Sequence, residues 1–155
     1  MVSGILSRIL VPYDGSKYSK NALVRAIEIA KKDESKIDII MVINVDYIRP
    51  PGALLGMMSS SSIDAIKKIT TSAKKETSQM LASQVSKCRA KGIKSESKVL
   101  SGNIAEEILK YAKQKKTTLI VIGSQGLRGI KKLKILGSTS RKVSEIANCP
   151  VLIVR

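Results

Sequence analysis

Apolar and polar positions alternate along this chain in two rhythms. Short, nearly continuous apolar runs occur at Ile5–Val11, Ile37–Val45, Leu119–Ile122 and Val151–Val154. Runs of this length without strict alternation predict strands buried on both faces of a parallel sheet. Between them the spacing changes to that of a helix. Ala22, Leu23, Ala26, Ile27 and Ala30 fall on one face of a helix opening at Ser16 or Ser19, with Lys17, Lys20, Arg25, Glu28 and Lys32 largely elsewhere. A longer helix is predicted from Ile63 to about Ala90, its stripe being Ile66, Thr70, Ala73, Thr77, Met80, Leu81 and Cys88, and Gly92 supplies the stop.

Lys94–Leu100 alternates enough for a partly exposed strand, with Val99 and Leu100 inward. Asn103-Ile104-Ala105-Glu106 has the form of a capping box, so a helix runs from there to about Lys115 and buries Ile104, Ile108, Leu109 and Ala112. The last helix spans about Thr139–Ala147, buries Val143, Ile146 and Ala147, and ends before Pro150, which pushes its predecessor out of helical space. Tyr47–Ser62 is expected to be a loop, whose Leu54, Leu55, Met57 and Met58 are unusual for exposed chain and cover a neighbour or act as a lid. Strands and helices thus alternate through five strands. Such alternation implies one α/β domain over residues 1–155, with helices on both faces of a parallel sheet.

Ligands of such sheets sit beyond the carboxyl ends of the strands, where the winding reverses. Two loops meet there if the first and fourth strands are neighbours: Pro12–Ser16, and the glycine-rich stretch Gly123–Thr139. The second holds Gly123, Gly126, Gly129 and Gly137, the last followed by Ser138 and Thr139 at a helix start. Glycine permits close backbone approach. The unpaired amides of a helix N-terminus, with the positive end of its dipole, attract anions. The stretch therefore suggests a phosphate cradle, against the plainer reading of a loop whose glycines only make turns. It is neither a Walker A loop nor a dinucleotide fingerprint. A side chain at Gly123 or Gly126 is expected to block an anion while leaving the fold intact. Asp14 is placed either to accept from ribose hydroxyls or an adenine amino group, or to close an Asx turn. Val42, late in the second strand, offers an apolar wall to a base or simply packs in the core. Arg128, Lys131, Lys132 and Lys134 screen a triphosphate or form a solvated face.

Composition narrows the choices. The 155 residues carry 28 Lys and Arg against 12 acids, a formal charge of +16, and 15 of those cations fall in residues 87–142 with only Glu96, Glu106 and Glu107. That skew attracts anions, from nucleotides to nucleic acid to lipid headgroups. With no Trp or Phe, however, stacking platforms for single-stranded nucleic acid are nearly excluded. No histidine is present, which removes the usual general base and metal ligand. Cys88 and Cys149 have no metal or redox spacing, and no apolar run reaches membrane-spanning length. The simplest location is the cytoplasm, with reduced thiols.

Taken together, Ile9-Leu10-Val11-Pro12-Tyr13-Asp14-Gly15-Ser16, the segment Gly102–Ala112, Ile120-Val121-Ile122-Gly123-Ser124-Gln125-Gly126 with Gly137-Ser138, and Cys149-Pro150-Val151-Leu152-Ile153-Val154 resemble a universal stress protein of the UspA-like family, over nearly the whole chain. The resemblance implies an open, Rossmann-like five-stranded sheet of order 3-2-1-4-5, and dimerisation through the last strand, Val151–Val154. It also implies ATP binding in the branch that carries G-x2-G-x9-G-[ST]. Here ten residues, not nine, separate Gly126 from Gly137. By resemblance Pro12, Asp14 and Val42 contact the adenosine, and Gly123, Gly126, Gly137, Ser138 and Thr139 the phosphates. The leading expectation is a homodimeric stress or signalling module whose bound ATP, AMP or ADP alters its surface for a protein partner, with Mg2+ or Mn2+ as an open companion. A slow ATPase or phosphotransferase ranks second, because Asp14 is the one acid at the site. A basic binder of nucleic acid or lipid headgroups ranks last.

Overall fold

The computed structural model describes residues 6–44, 51–127 and 135–155. Five strands, β1 (Arg8–Pro12), β2 (Lys36–Ile43), β3 (Ser95–Ser101), β4 (Leu119–Gly123) and β5 (Val151–Val154), form one sheet of order β3-β2-β1-β4-β5. Every neighbouring pair is parallel. The order agrees with the expected 3-2-1-4-5. Helices α1 (Lys17–Asp33), α2 (Gly52–Leu55), α3 (Ser60–Ala90), α4 (Ile104–Gln114) and α5 (Ser138–Ile146) connect the strands.

The strands are apolar on both sides because each side meets helices. Ile9, Val11, Ile37, Ile39, Leu119 and Val121 face α1 and α3, where Ala22, Leu23, Ala26, Ile27, Leu81, Val85 and Cys88 complete one core. Leu10, Ile40, Ile120 and Ile122 face α4 and α5, packing with Ala105, Ile108, Tyr111, Ala112 and Val143. The small alanines of α1 let that helix lie close to the sheet. Ser16 caps α1, its hydroxyl accepting from the Ser19 amide at 3.1 Å. This hydrogen bond satisfies one of the helix's orphan donors.

Several sequence expectations are corrected. Leu54 and Leu55 lie in the short helix α2, within the stretch expected to be loop. α3 begins at Ser60 rather than Ile63, because the Ser59 hydroxyl accepts from the Ser62 amide and starts the helix earlier. Along α3 only Leu81, Val85 and Cys88 are buried. The rest of the expected stripe, from Ile66 to Met80, is half-buried, since the sheet beneath supports only the second half of this 31-residue helix. Ile104 and Ile146 were expected to be inward but are 38% and 53% exposed. In α4 Ile108 and Ala112 are inward as expected, joined by Ala105 and Tyr111.

At the amino end of the sheet a polar cluster sits where the sequence shows only an apolar run. Asp38 is fully buried, and the Arg8 guanidinium donates to it at 2.6 Å. Glu96 gathers Arg8, Lys36 and Lys115 within 4 Å. Burial pushes the Asp38 carboxyl above its usual range, against the pull of Arg8. Burial, reinforced by the Asp38 charge, pushes the Tyr111 phenol up to about 12.

Candidate functional site

At the carboxyl end the strand order reverses between β1 and β4, and the chain leaves these strands on opposite faces of the sheet. A cleft of about 840 Å³ opens there. Its floor is the carboxyl ends of β1, β2 and β4, with Pro12, Ile40, Val42 and Ile122. Ile104, Ala105 and Ile108 of α4 wall it on one side, and Gly137, Ser138 and Thr139 of α5 stand on another. All eight residues singled out from the sequence line this one cleft: Pro12, Asp14, Val42, Gly123, Gly126, Gly137, Ser138 and Thr139. Arg128, Lys131, Lys132 and Lys134 lie outside the described residues.

Asp14 joins the two loops. Its Oδ1 accepts from the Ser16 amide at 2.9 Å, closing the Asx turn that is one of the two sequence readings. Its Oδ2 accepts from the Leu127 amide at 3.1 Å, reaching across to the loop after β4. A carboxylate oxygen carries further acceptor capacity, so these two bonds position Asp14 without exhausting it.

The three glycines have different reasons to be glycine. A Cβ on Gly123 would stand 2.8 Å from the carbonyl carbon of Tyr18 and 2.9 Å from the Ser19 amide nitrogen. Gly123 therefore lets α1 lie against the end of β4, and the expectation that a side chain here spares the fold is corrected. Among the described residues a Cβ on Gly126 would meet the tip of Asp14, at 3.0 Å. On Gly137 it would press the Ser124 carbonyl oxygen at 3.3 Å. That oxygen also accepts from the Gly137 amide at 2.8 Å, while the Ser140 hydroxyl donates to the Gly123 carbonyl at 2.8 Å. These contacts fix the start of α5 beside the end of β4.

The N-cap of α5 is Gly137, which has no side chain to accept from the first turn, and no acidic residue stands in that turn. The amides there are left with the positive end of the helix dipole uncompensated by side chains. This is the opposite of α1 and α4, each capped by its own hydroxyl or amide side chain. The arrangement offers an apolar slot next to an anion-attracting helix start.

Among the lining residues that the sequence did not single out for the site are two polar ones on the helices behind it. Asn103 and Lys142 both border the cleft. The Asn103 side-chain oxygen caps α4 by accepting from the Glu106 amide at 3.2 Å. The carboxylate of Glu106 is drawn away to Lys142 of α5, 3.1 Å distant. The Asn-x-x-Glu pattern signalled the cap, but no local pattern ties Glu106 to a lysine 36 residues later. Among the described residues no group of His, Cys, Asp or Glu could hold a metal ion, and no helix is long and apolar enough to cross a membrane.

Comparison with known proteins places this geometry in a family. Residues 6–155 match the model of the universal stress protein family. The chain is 36% identical over 151 residues to the universal stress protein YxiE of Bacillus subtilis, an alignment covering 97% of this chain and all of that one. Among solved structures, the fold superposes on hypothetical protein MJ0577 with a TM-score of 0.83 at 23% identity, covering 97% of this chain and 96% of the other. It also superposes on the universal stress protein of Archaeoglobus fulgidus in complex with dAMP, with a TM-score of 0.62 at 24% identity and coverage of 97% and 99%.

Proposed function

The chain belongs to the universal stress protein family, and from that membership and the shape of the cleft we propose that it binds ATP and acts as a cytoplasmic, homodimeric stress-response module. The observation that carries this reading is the uncapped start of α5 set against the apolar slot at the point where the sheet's winding reverses. The family relation to a protein solved with dAMP supports an adenine nucleotide as the ligand.

In this reading the adenine lies in the slot bounded by Pro12, Ile40, Val42 and Ile122, gaining from removal of its faces from water. Asp14, held by the Ser16 and Leu127 amides, turns its remaining acceptor capacity to the sugar hydroxyls. The phosphates meet the amides of Ser138 and Thr139 and the hydroxyls of both residues, with Gly123 and Gly126 keeping the facing loop close. A divalent ion, Mg2+ or Mn2+, enters with the phosphates rather than through a protein cage, because Asp14 is the one carboxylate among the described residues that line the cleft. With no histidine in the chain and a single acid at the site, binding outranks hydrolysis. Occupancy fixes the loops around Gly126 and Gly137 and so changes the surface offered to a protein partner.

The edge position of β5 supports the dimer. Among the described residues its outer backbone groups have no neighbouring strand, and Leu152, Val24 and Ile146 expose apolar surface. A second copy pairing there closes the edge of both sheets.

The test is to purify the chain, denature it by heat and identify the released small molecules by mass spectrometry. An adenine nucleotide at near-stoichiometric yield is expected. A protein that releases none, and that shows no calorimetric response to ATP, ADP or AMP, would overturn the reading.

A further inference from the structure

Resting on the nucleotide reading, we propose that Lys142 is the phosphate-sensing residue of the cleft, held in reserve by Glu106 and transferred to the ligand's phosphates on binding. Three observations carry this. Lys142 is the one cation among the described residues that line the cleft. It lies one helical turn beyond Ser138, so the two share a face of α5. Helical side chains lean toward the N-terminus of their helix, which aims the Lys142 stem at the uncapped first turn. Among the described residues its ammonium has one partner, the Glu106 carboxylate at 3.1 Å, and both side chains are substantially exposed, at 43% and 65%.

An exposed pair of this kind is weak, because water screens both charges and two long side chains must be held in one geometry. It breaks readily when a stronger anion arrives. A triphosphate at the start of α5 carries several negative charges, and the ammonium has three donors to divide among its oxygens. Moving Lys142 from Glu106 to the ligand loosens the one ion pair found between α4 and α5 among the described residues. Occupancy is thereby transmitted to α4, whose first turn carries both Glu106 and the cleft wall at Ile104 and Ala105. The response is graded by phosphate charge: strong for ATP, weaker for AMP, absent for adenosine.

The experiment is isothermal titration of ATP, AMP and adenosine into wild type, Lys142→Met and Glu106→Gln, at low and at physiological salt. Loss of a charge-assisted contact predicts that Lys142→Met weakens ATP by about tenfold, weakens AMP less, and leaves adenosine unchanged. Glu106→Gln frees the lysine and is expected to strengthen ATP by up to about fivefold, more at low salt. Equal weakening of all three ligands in Lys142→Met would assign it a structural role and overturn the proposal. Unchanged ATP affinity in both variants would do the same. Wild type that binds adenosine while the variants show no graded response defeats the Lys142 assignment alone. Wild type that binds none of the three defeats the nucleotide reading and the assignment with it.

Discussion

The two ends of the sheet treat charge in opposite ways. At the amino end, Arg8, Lys36 and Lys115 close around Asp38 and Glu96, so that the buried charge is paired through Asp38 Oδ2 from within the protein, although Asp38 Oδ1 has no hydrogen-bond partner among the described residues. At the carboxyl end the start of α5 has no capping side chain and no acid, and one lysine of the cleft is held only by an exposed carboxylate. The same parallel strands run between the two ends: at the amino end the charges stand on β1, β2 and β3 themselves, with Lys115 just after α4, whereas at the carboxyl end the polar groups belong to loops and helix starts. An ion pair that the fold satisfies is structural, and unsatisfied amides beside an apolar slot are available to a ligand. Stability should therefore depend on the amino end and binding on the carboxyl end.

The largest expected effect breaks that division at a position where the two roles meet. Gly123→Val drives a side chain into the backbone of Tyr18 and Ser19. It should lower the thermal midpoint strongly, since overpacking typically costs about 1–3 kcal/mol and occasionally more, and backbone at 2.8 Å has little room to yield. Gly126→Val places its Cβ, among the described residues, against the Asp14 carboxylate rather than backbone. It should leave the midpoint within a few degrees of wild type and weaken ATP by about a hundredfold, the loss of aligned contacts at the phosphates. Thermal melts and calorimetry on both variants separate the two glycines. Equal stability in the pair would show that the Tyr18 contact does not constrain position 123.

The amino end is sharpened by Arg8→Met. This leaves the buried Asp38 carboxylate without its 2.6 Å partner, and breaking such a pair typically costs about 3–5 kcal/mol. Denaturant unfolding should register that loss, whereas the affinity of the folded fraction for ATP should stay within about twofold, since additivity holds for sites without shared partners. A Kd that shifts as much as the stability would mean that the ends are coupled.

A smaller effect follows from Tyr111. Its phenol is raised from 10.0 to about 12, first by burial and then by the Asp38 charge. The folded state holds this proton more tightly than the unfolded state. The contribution is complete below pH 10 and disappears as pH rises from about 10 through 12. Two units amount to roughly 2–3 kcal/mol. The difference in unfolding free energy between wild type and Tyr111→Phe should therefore shrink or reverse across that window. A constant difference from pH 9 to 12 would rule out an altered Tyr111 titration.

The smallest expected effect concerns the sheet's edge. Leu152→Lys places charge on β5 and should convert the proposed dimer to monomer in sedimentation velocity at micromolar concentration, with nucleotide affinity little changed. A monomeric wild type would remove the dimer from the account.

Much of this architecture is legible from periodicity. Val121 and Ile122, apolar on both faces of β4, announce a buried parallel strand, and the alanines of α1 announce its packed face. The cleft residues were also legible, because Pro12 to Ser16 and Gly123 to Thr139 both follow apolar strands in an alternating chain. What escaped depends on partners distant in sequence. Asp38 is hidden in an apolar run, and its cation lies 30 residues earlier. Gly123 reads as a ligand-facing glycine, yet the backbone it accommodates belongs to α1. Ile146 looks inward by spacing, yet it is half exposed, while Val143 one turn earlier is buried. Lys142 is one lysine among many until α4 brings Glu106 to it. A run of half-apolar residues from Ile63 to Met80 likewise looks like core because spacing alone does not reveal where the sheet ends.

The most direct measurement is a crystal structure of the chain grown with a non-hydrolysable ATP analogue. The account predicts phosphate oxygens within hydrogen-bond distance of the Ser138 and Thr139 amides, and adenine between Pro12 and Val42. A nucleotide seated elsewhere, or a saturated crystal with the start of α5 in contact only with solvent, would contradict it.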